Sequence, residues 1–356
     1  MRRIGLMAGL LLAGAALAAP LPRFSQPNAI WNVDVSSAAL RPNSAAMMAH
    51  LAALSPSGWG DTRNFDFQID FSFYVLHATA ATPRYPIVAW PSAGDYYSPD
   101  CDAPGTLFPL PPGGGIEGTD PPGYACDADS DDCHLLVVDD SSRVLHEAYA
   151  THAAGAGGIQ ALCGLRWNLD KVYPRNGRGE HCTSADAAGF PIAPLLFNAD
   201  EVWAAMQVQG DLGHAIRFIL GNNRMMRHRY VHPASHGTLA TADTNANAVP
   251  YGSRLRLKPS FDIDAFSSRQ SVRVILRTLK KYGMFLADGG GIPLTAESDA
   301  FTTHKWADAD IGIDSHALFG IRPTDFEVVE AGEPRQVTYD CVRTPDDFVF
   351  IDGYDY

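Results

Sequence analysis

The sequence predicts a mainly β protein with a few packed helices, an α+β fold whose core is an antiparallel, sandwich-like or barrel-like sheet. Glycine (32) and proline (25) are frequent and charged residues make up only 19% of the chain, a balance that favours strands and loops over a helical bundle. Segments with a strand pattern come in neighbouring runs. Helical patterns do not alternate with them one for one, which argues against a doubly wound fold.

The elements follow in chain order. Good helix formers behind an Asn-Ser cap predict a first helix over residues 44–54. Alternating residues predict strands over 66–78 and in YPIVAW, and then a hairpin in HLLVVDDSSRVLHEAY whose turn is centred on Ser141 and Ser142. A short helix is expected from about Ala199, behind the capping Asn198. Further strands are predicted in GLRWNL, GHAIRFILG, YGSRLRLK and MFLAD, and a long amphipathic helix in SRQSVRVILRTLKKYG, where Gly283 provides the stop.

The N-terminus has the layout of a secretory signal peptide. Two arginines precede an apolar run from Ile4 to Leu17, and small residues stand at Ala16 and Ala18. We therefore predict a signal peptide over 1–18 and a single secreted or periplasmic domain over 19–356. The apolar run is shorter than the roughly 20 residues that a spanning helix needs, so no membrane insertion is expected.

Six cysteines in an exported chain predict three disulfides. Proximity favours Cys126 with Cys133 and Cys163 with Cys182, which leaves Cys101 for Cys341, although six cysteines allow fifteen connectivities. Residues 91–133 are dense in Pro, Gly and Asp and predict a long loop, which the cysteines inside it should order.

The formal net charge of −13 disfavours nucleic acid as a partner, because no basic excess is present to displace phosphate counterions. No cofactor is expected. Asp127, Asp129 and Asp131 alternate as in a calcium loop, but the glycine and the final glutamate of an EF-hand are missing, so only an irregular calcium site remains open. The chain also lacks the Gly-x-Ser-x-Gly and His-Glu-x-x-His motifs of common serine hydrolases and zinc proteases.

The hairpin carries the first candidate site. With the predicted turn, Val138 pairs with Leu145, so His134 lies opposite Tyr149, and Asp132, His134, Glu147 and Tyr149 share one face. An imidazole, a carboxylate and a phenol on one face could perform acid-base chemistry. A solvated strand end, or an ion pair that pins the hairpin, would explain the same residues.

A second candidate is Asp186 in HCTSADAAGFP, where the Thr183 or Ser184 hydroxyl can cap the local backbone. Arg217, Arg256, His214 and His236 form a third set, which could line a cleft and bind a polar or anionic group. For these residues, polar loop or structural roles are the competing interpretation.

The segments TSADAAGFPIAP, HAIRF, PASH, YGSRLRLKPSFDI and LKKYGMFLADGG resemble those of a group of secreted bacterial and fungal proteins of similar length and uncharacterised function. The likeness covers most of the exported chain. It implies export and one shared domain, and it implies no particular reaction.

These observations predict a secreted glycoside hydrolase that cleaves an extracellular or cell-wall polysaccharide or oligosaccharide. Five tryptophans, Trp59, Trp90, Trp167, Trp203 and Trp306, could stack on sugar faces. The predicted acid pair is Glu147 and Asp186, oriented by His134 and His214, with Arg217, Tyr149, His236 and Arg256 binding substrate. A polysaccharide lyase and a non-catalytic glycan-binding or envelope protein are the alternatives. Convergence of Glu147, His134, Asp186 and His214 in one cleft would favour an enzyme.

Overall fold

The computed structural model describes residues 20–54, 59, 66–90, 94–126 and 132–344. The predicted signal peptide, residues 1–18, lies outside these ranges. So do Asp127, Asp129 and Asp131 of the candidate calcium loop.

In the described ranges the helices are α1 (Ser44–Ala53), α2 (Ala199–Gln207), α3 (Ile263–Phe266) and α4 (Gln270–Lys281). The strands are β1 (Ile69–Phe73), β2 (Val75–Ala78), β3 (Arg84–Ala89), β4 (Leu107–Pro109), β5 (Leu135–Asp139), β6 (Val144–Tyr149), β7 (Ala153–Gly155), β8 (Gly158–Ala161), β9 (Cys163–Asn168), β10 (Gly179–Glu180), β11 (Ile216–Leu220), β12 (Met225–Tyr230), β13 (Val249–Tyr251), β14 (Arg254–Leu257), β15 (Met284–Gly289), β16 (Leu294–Glu297), β17 (Phe326–Val328), β18 (Arg335–Gln336) and β19 (Val342–Arg343). The predicted sheet-rich α+β class is confirmed.

The largest sheet has six strands in the order β1-β16-β11-β15-β14-β17. It is mixed: β1 runs parallel to β16 and β11 parallel to β15, while the remaining pairs are antiparallel. The expectation of an antiparallel sheet was therefore too narrow, because residues from distant parts of the chain supply neighbouring strands. Helices α2 and α4 pack on each other, and α4 packs on β14. The predicted apolar stripe of α4 is buried at Val272, Ile275, Leu276 and Leu279.

The sheets β2-β5-β6-β9 and β4-β3-β8-β7 share a second hydrophobic core. The β5–β6 hairpin has the predicted register, since Val138 pairs with Leu145 and Leu136 with Glu147. The predicted long loop over 91–133 is interrupted by β4, which pairs with β3. Apart from that strand, its described residues lack regular structure.

Two of the three predicted disulfide pairings were wrong. Cys126 pairs with Cys133 as expected, but Cys101 bonds to Cys163 and Cys182 bonds to Cys341. Separation along the chain misled the prediction, because the fold brings the Cys101 loop against β9, where the Asp102 N–H donates to the Gly164 carbonyl over 2.9 Å. Three disulfides suit a protein of an oxidising compartment. None of the helices in the described part of the chain is long and apolar enough to cross a bilayer.

Candidate active site

A cleft of about 880 Å³ lies between the six-stranded sheet and the β5–β6 hairpin. Its floor includes side chains of β1, β16, β11 and β15, and its walls come from segments 95–100, 183–187 and 236–238. Six carboxyl side chains line it: Asp70, Asp95, Asp100, Glu117, Asp132 and Asp288. Rings line it as well, those of Phe73, Tyr96, Tyr97, Tyr149, Tyr251 and Tyr339.

The register of the sheet builds the floor. Asp70 on β1 pairs with Thr295 on β16, and the Thr295 hydroxyl donates to the Arg217 carbonyl on β11 over 3.4 Å. On β11, Arg217 and Ile219 face the cleft, while Phe218 and Leu220 alternate into the core. A row of polar side chains thus crosses adjacent strands on one face.

Arg217 holds two carboxyl groups. Its Nη2 lies 2.8 Å from Asp186 Oδ1 and 3.3 Å from Asp288 Oδ2. Asp186 has no exposed surface, and burial raises its pKa well above the usual range, although Arg217 opposes the shift; the nearby Asp288 carboxylate raises it further. Asp288 faces the cleft, and its Oδ1 accepts the Gly289 N–H over 2.7 Å. The buried Asp186 therefore supports Asp288 rather than contacting a ligand.

His134 is a fixed cation at the hairpin end. Its Nδ1 lies 2.6 Å from Glu117 Oε2 and its Nε2 lies 3.0 Å from the Ala185 carbonyl. Burial is the largest single effect and lowers the pKa of His134, but the charge of Glu117, its hydrogen bond and the charge of Asp132 together raise it to about 9. With acceptors at both ring nitrogens, His134 donates two hydrogen bonds and has no lone pair for a base.

Asp132 is the carboxyl group suited to hold a proton. Asp132 is exposed to the cleft. Partial desolvation there raises its pKa, and the charges of Asp288 and Glu117 raise it further, against His134 and a hydrogen bond from Tyr149. The Tyr149 and His134 rings lie 5.4 Å apart. The predicted shared face of Asp132, His134 and Tyr149 is therefore present, and it borders the cleft.

Glu147 shares the hairpin but does not line the cleft. It is fully buried, and its carboxylate accepts N–H groups from Ile192 and Ala193, over 2.8 and 2.9 Å, and from the Trp167 indole over 3.0 Å. Burial raises its pKa to about 7. These hydrogen bonds pin the hairpin to a neighbouring turn. Glu147 is therefore structural, although it forms neither the solvated strand end nor the ion pair that the sequence left open.

His214 and Arg256 lie away from the cleft. His214 contacts Arg23 and the Ala215 carbonyl, and Arg256 bonds to Glu327 on the neighbouring strand β17. Arg256 also donates a hydrogen bond to the Val35 carbonyl, so the N-terminal segment covers its side of β14. The predicted convergence is therefore partial, because His134 and the Asp186 loop meet whereas Glu147 and His214 do not reach the cleft.

His236 and Tyr149, two of the predicted substrate-binding residues, do line the cleft, as does Arg217. The tryptophans do not contribute, and Trp59, Trp167 and Trp306 are buried in the core. In the described ranges, the one group of three metal-ligating side chains is Asp100 with Cys182 and Cys341. Those two sulfurs form a disulfide and are not thiolate ligands.

The sequence reasoning did not select Asp70, Glu117, Asp288 or, as a catalytic group, Asp132. Asp288 had a detectable signal, since it ends an apolar strand and precedes a glycine run in MFLADGGG. Glu117 had none, because it lies in an irregular loop whose path depends on distant contacts such as the hydrogen bond from its N–H to the His134 carbonyl over 2.9 Å.

The fold and cleft define a disulfide-bonded α+β protein with an acidic, tyrosine-lined cleft. No protein-family model matches the chain, no curated protein matches its sequence, and no solved structure matches its fold.

Proposed function

We propose that the protein is a secreted glycoside hydrolase that cleaves an extracellular or cell-wall polysaccharide in this cleft. The observation that carries the proposal is the contrast between two cleft carboxyl groups. Asp132 is exposed to the cleft, where partial desolvation and neighbouring negative charge raise its pKa, whereas Asp288 contacts a guanidinium and a backbone N–H. Glycosidases need such a pair, one group protonated and the other ionised.

In this mechanism Asp132 donates its proton to the glycosidic oxygen as the bond from that oxygen to the anomeric carbon breaks. Asp288 supplies the negative charge on the opposite face of the sugar ring. It either bonds to the anomeric carbon or takes a proton from the attacking water. Arg217 and the buried Asp186 hold Asp288 in position. His134 and Tyr149 orient Asp132. The acid pair is thus Asp132 and Asp288 instead of the predicted Glu147 and Asp186.

A lyase is supported less well. Lyases need a neutral base and a free cation for the uronate, but His134 is protonated near neutral pH and burial raises the pKa of Tyr149. Arg217 is already paired with two carboxyl groups.

The test is turnover of a polysaccharide panel by the purified protein, followed by reducing-end and ultraviolet product analysis. For a hydrolysed substrate, Asp132→Asn and Asp288→Asn should each lower kcat by about 10²–10⁴-fold, the usual contribution of a positioned proton-transfer group. Asp264→Asn is the matched control, because that side chain is 82% exposed and lies outside the cleft.

Near-ultraviolet circular dichroism should show that both variants keep the native fold. Full turnover by both folded variants would contradict the assignment. Products that absorb in the ultraviolet would identify a lyase, and saturable binding without products would identify a glycan-binding protein.

A further inference from the structure

Three polar side-chain atoms of the cleft wall have no hydrogen-bond partner among the described residues. They are Asn222 Oδ1, His236 Nε2 and Tyr251 Oη. Tyr251 has no exposed surface and His236 is 6% exposed. Leaving a buried polar atom unpaired costs about 1–3 kcal/mol, so three such atoms in one cleft point to a ligand that pairs with them.

All three side chains line the same cleft as Asp288. Asn222 packs against the next residue, since a Cβ on Gly289 would lie 2.7 Å from Asn222 Oδ1. The charge of Asp288 also acts on both His236 and Tyr251. The unpaired atoms therefore share the cleft with the carboxylate to which the proposed function gives the anionic role, and Asn222 contacts the residue after it.

Their chemistry specifies the groups that a ligand must offer. His236 Nδ1 lies 3.0 Å from the Ala187 carbonyl, so Nδ1 carries the hydrogen and Nε2 is an acceptor. Burial lowers the pKa of His236, which keeps the ring neutral. Asn222 Oδ1 is a second acceptor, and Tyr251 Oη can donate or accept. Neighbouring sugar hydroxyls, each a donor and an acceptor, complement this set.

The charge of the cleft further restricts which sugars can bind there. Among the residues that the structure describes, six carboxyl groups line it, and the two cations that line it, Arg217 and His134, are each bonded to carboxylates. A uronate or sulfate group would meet unscreened negative charge.

We infer that Asn222, His236 and Tyr251 form a subsite beside Asp288 that binds a neutral, hydroxyl-rich sugar ring. This inference rests on the proposed function for its orientation toward Asp288, but sugar binding at the subsite is measurable without turnover.

The experiment uses calorimetry to measure ligand binding by the Asp132→Asn protein. The neutral ligands are hexasaccharides of glucose, xylose, mannose, galactose and arabinose, and the anionic ligand is hexagalacturonate. At least one neutral hexasaccharide should bind, and hexagalacturonate should not. Two further substitutions are each added to this protein. Tyr251→Phe removes the hydroxyl, and His236→Asn removes Nε2 but retains a donor for the Ala187 carbonyl. Each should raise the Kd about tenfold, the effect of one lost hydrogen bond. Tyr85→Phe, on β3 outside the cleft, should leave Kd unchanged.

Preferential binding of hexagalacturonate, absence of binding by every neutral hexasaccharide, or an unchanged Kd in both folded subsite variants would overturn the inference. Neutral binding that the two variants weaken, without turnover by the unsubstituted protein, would support the subsite while contradicting the hydrolase. The two proposals can therefore fail separately.

Discussion

Two clusters in this protein combine histidine, arginine and carboxyl groups, but their histidines have opposite protonation states. The cleft cluster comprises Glu117, His134, Arg217, Asp186 and Asp288. The Arg23 cluster comprises Arg23, Glu201 and His214, where Arg23 Nη2 lies 2.7 Å from Glu201 Oε2 and 2.8 Å from His214 Nε2.

The histidines differ because their neighbours differ. His134 faces two acceptors, one of them charged, and is cationic. His214 accepts from the Arg23 guanidinium and donates from Nδ1 to the Ala215 carbonyl over 2.7 Å. Burial lowers the pKa of His214 well below its ordinary value, and the charge of Arg23 lowers it further. Residue type alone therefore does not assign a chemical role.

The surroundings also differ. The cleft cluster borders an open cavity and leaves Asp288 facing it. The Arg23 cluster instead ties the N-terminal segment to the turn before α2, through Arg23 bonds to the Pro194 and Leu196 carbonyls of 3.0 and 2.9 Å. The first arrangement suits chemistry and the second suits packing.

The largest effect should follow Arg217→Met. Removing this cation leaves Asp186 and Asp288 without their shared partner, and breaking a buried pair costs about 3–5 kcal/mol. Urea unfolding should show that loss in the free energy of unfolding, and turnover of any hydrolysed glycan should fall with it. Arg217→Lys keeps the positive charge but not the planar guanidinium, so its free energy of unfolding and its turnover should lie between those of the unsubstituted protein and of Arg217→Met. A loss below about 1 kcal/mol would show that Arg217 does not hold Asp186 and Asp288 in place.

His134→Gln tests the protonation difference between the clusters. The pKa of His134 is about 9 in the folded protein and ordinarily 6.5, so its stabilising contribution is complete below pH 6.5 and disappears as pH rises through 9. We expect a difference in unfolding free energy between the two proteins on the order of 2–3 kcal/mol at pH 6 that shrinks strongly by pH 9.5. Urea unfolding at both pH values measures it.

His214→Gln is the matched comparison, and its effect on the free energy of unfolding should change with pH in the opposite direction. The folded pKa of His214 is lowered, so its contribution is present above pH 6.5 and is lost as pH falls below that value. If both variants showed the same pH trend, the proposed difference in protonation would be incorrect.

The same contrast explains what the sequence could predict. Hairpin register and helix boundaries were predictable because they depend on local periodicity and capping; Asn198 Oδ1, for example, accepts the Glu201 N–H over 2.9 Å. The roles of Glu147 and Asp186 were not, because their burial depends on strands and turns distant in sequence. Disulfide pairing failed for the same reason, since Cys182 joins a partner 159 residues away.

The smallest effect should follow Arg23→Met, the counterpart of Arg217→Met. Arg23 and Glu201 side chains are 23% and 20% exposed, against 3% and 0% for Arg217 and Asp186. Water reaches the Arg23 pair more, so its loss should cost less, about 1–2 kcal/mol. The melting temperature should fall by a few degrees, while kcat and KM on any hydrolysed glycan stay within twofold. If Arg23→Met lowered turnover as much as Arg217→Met does, the chemistry would depend on both clusters, and assigning it to the cleft carboxyl groups alone would be wrong.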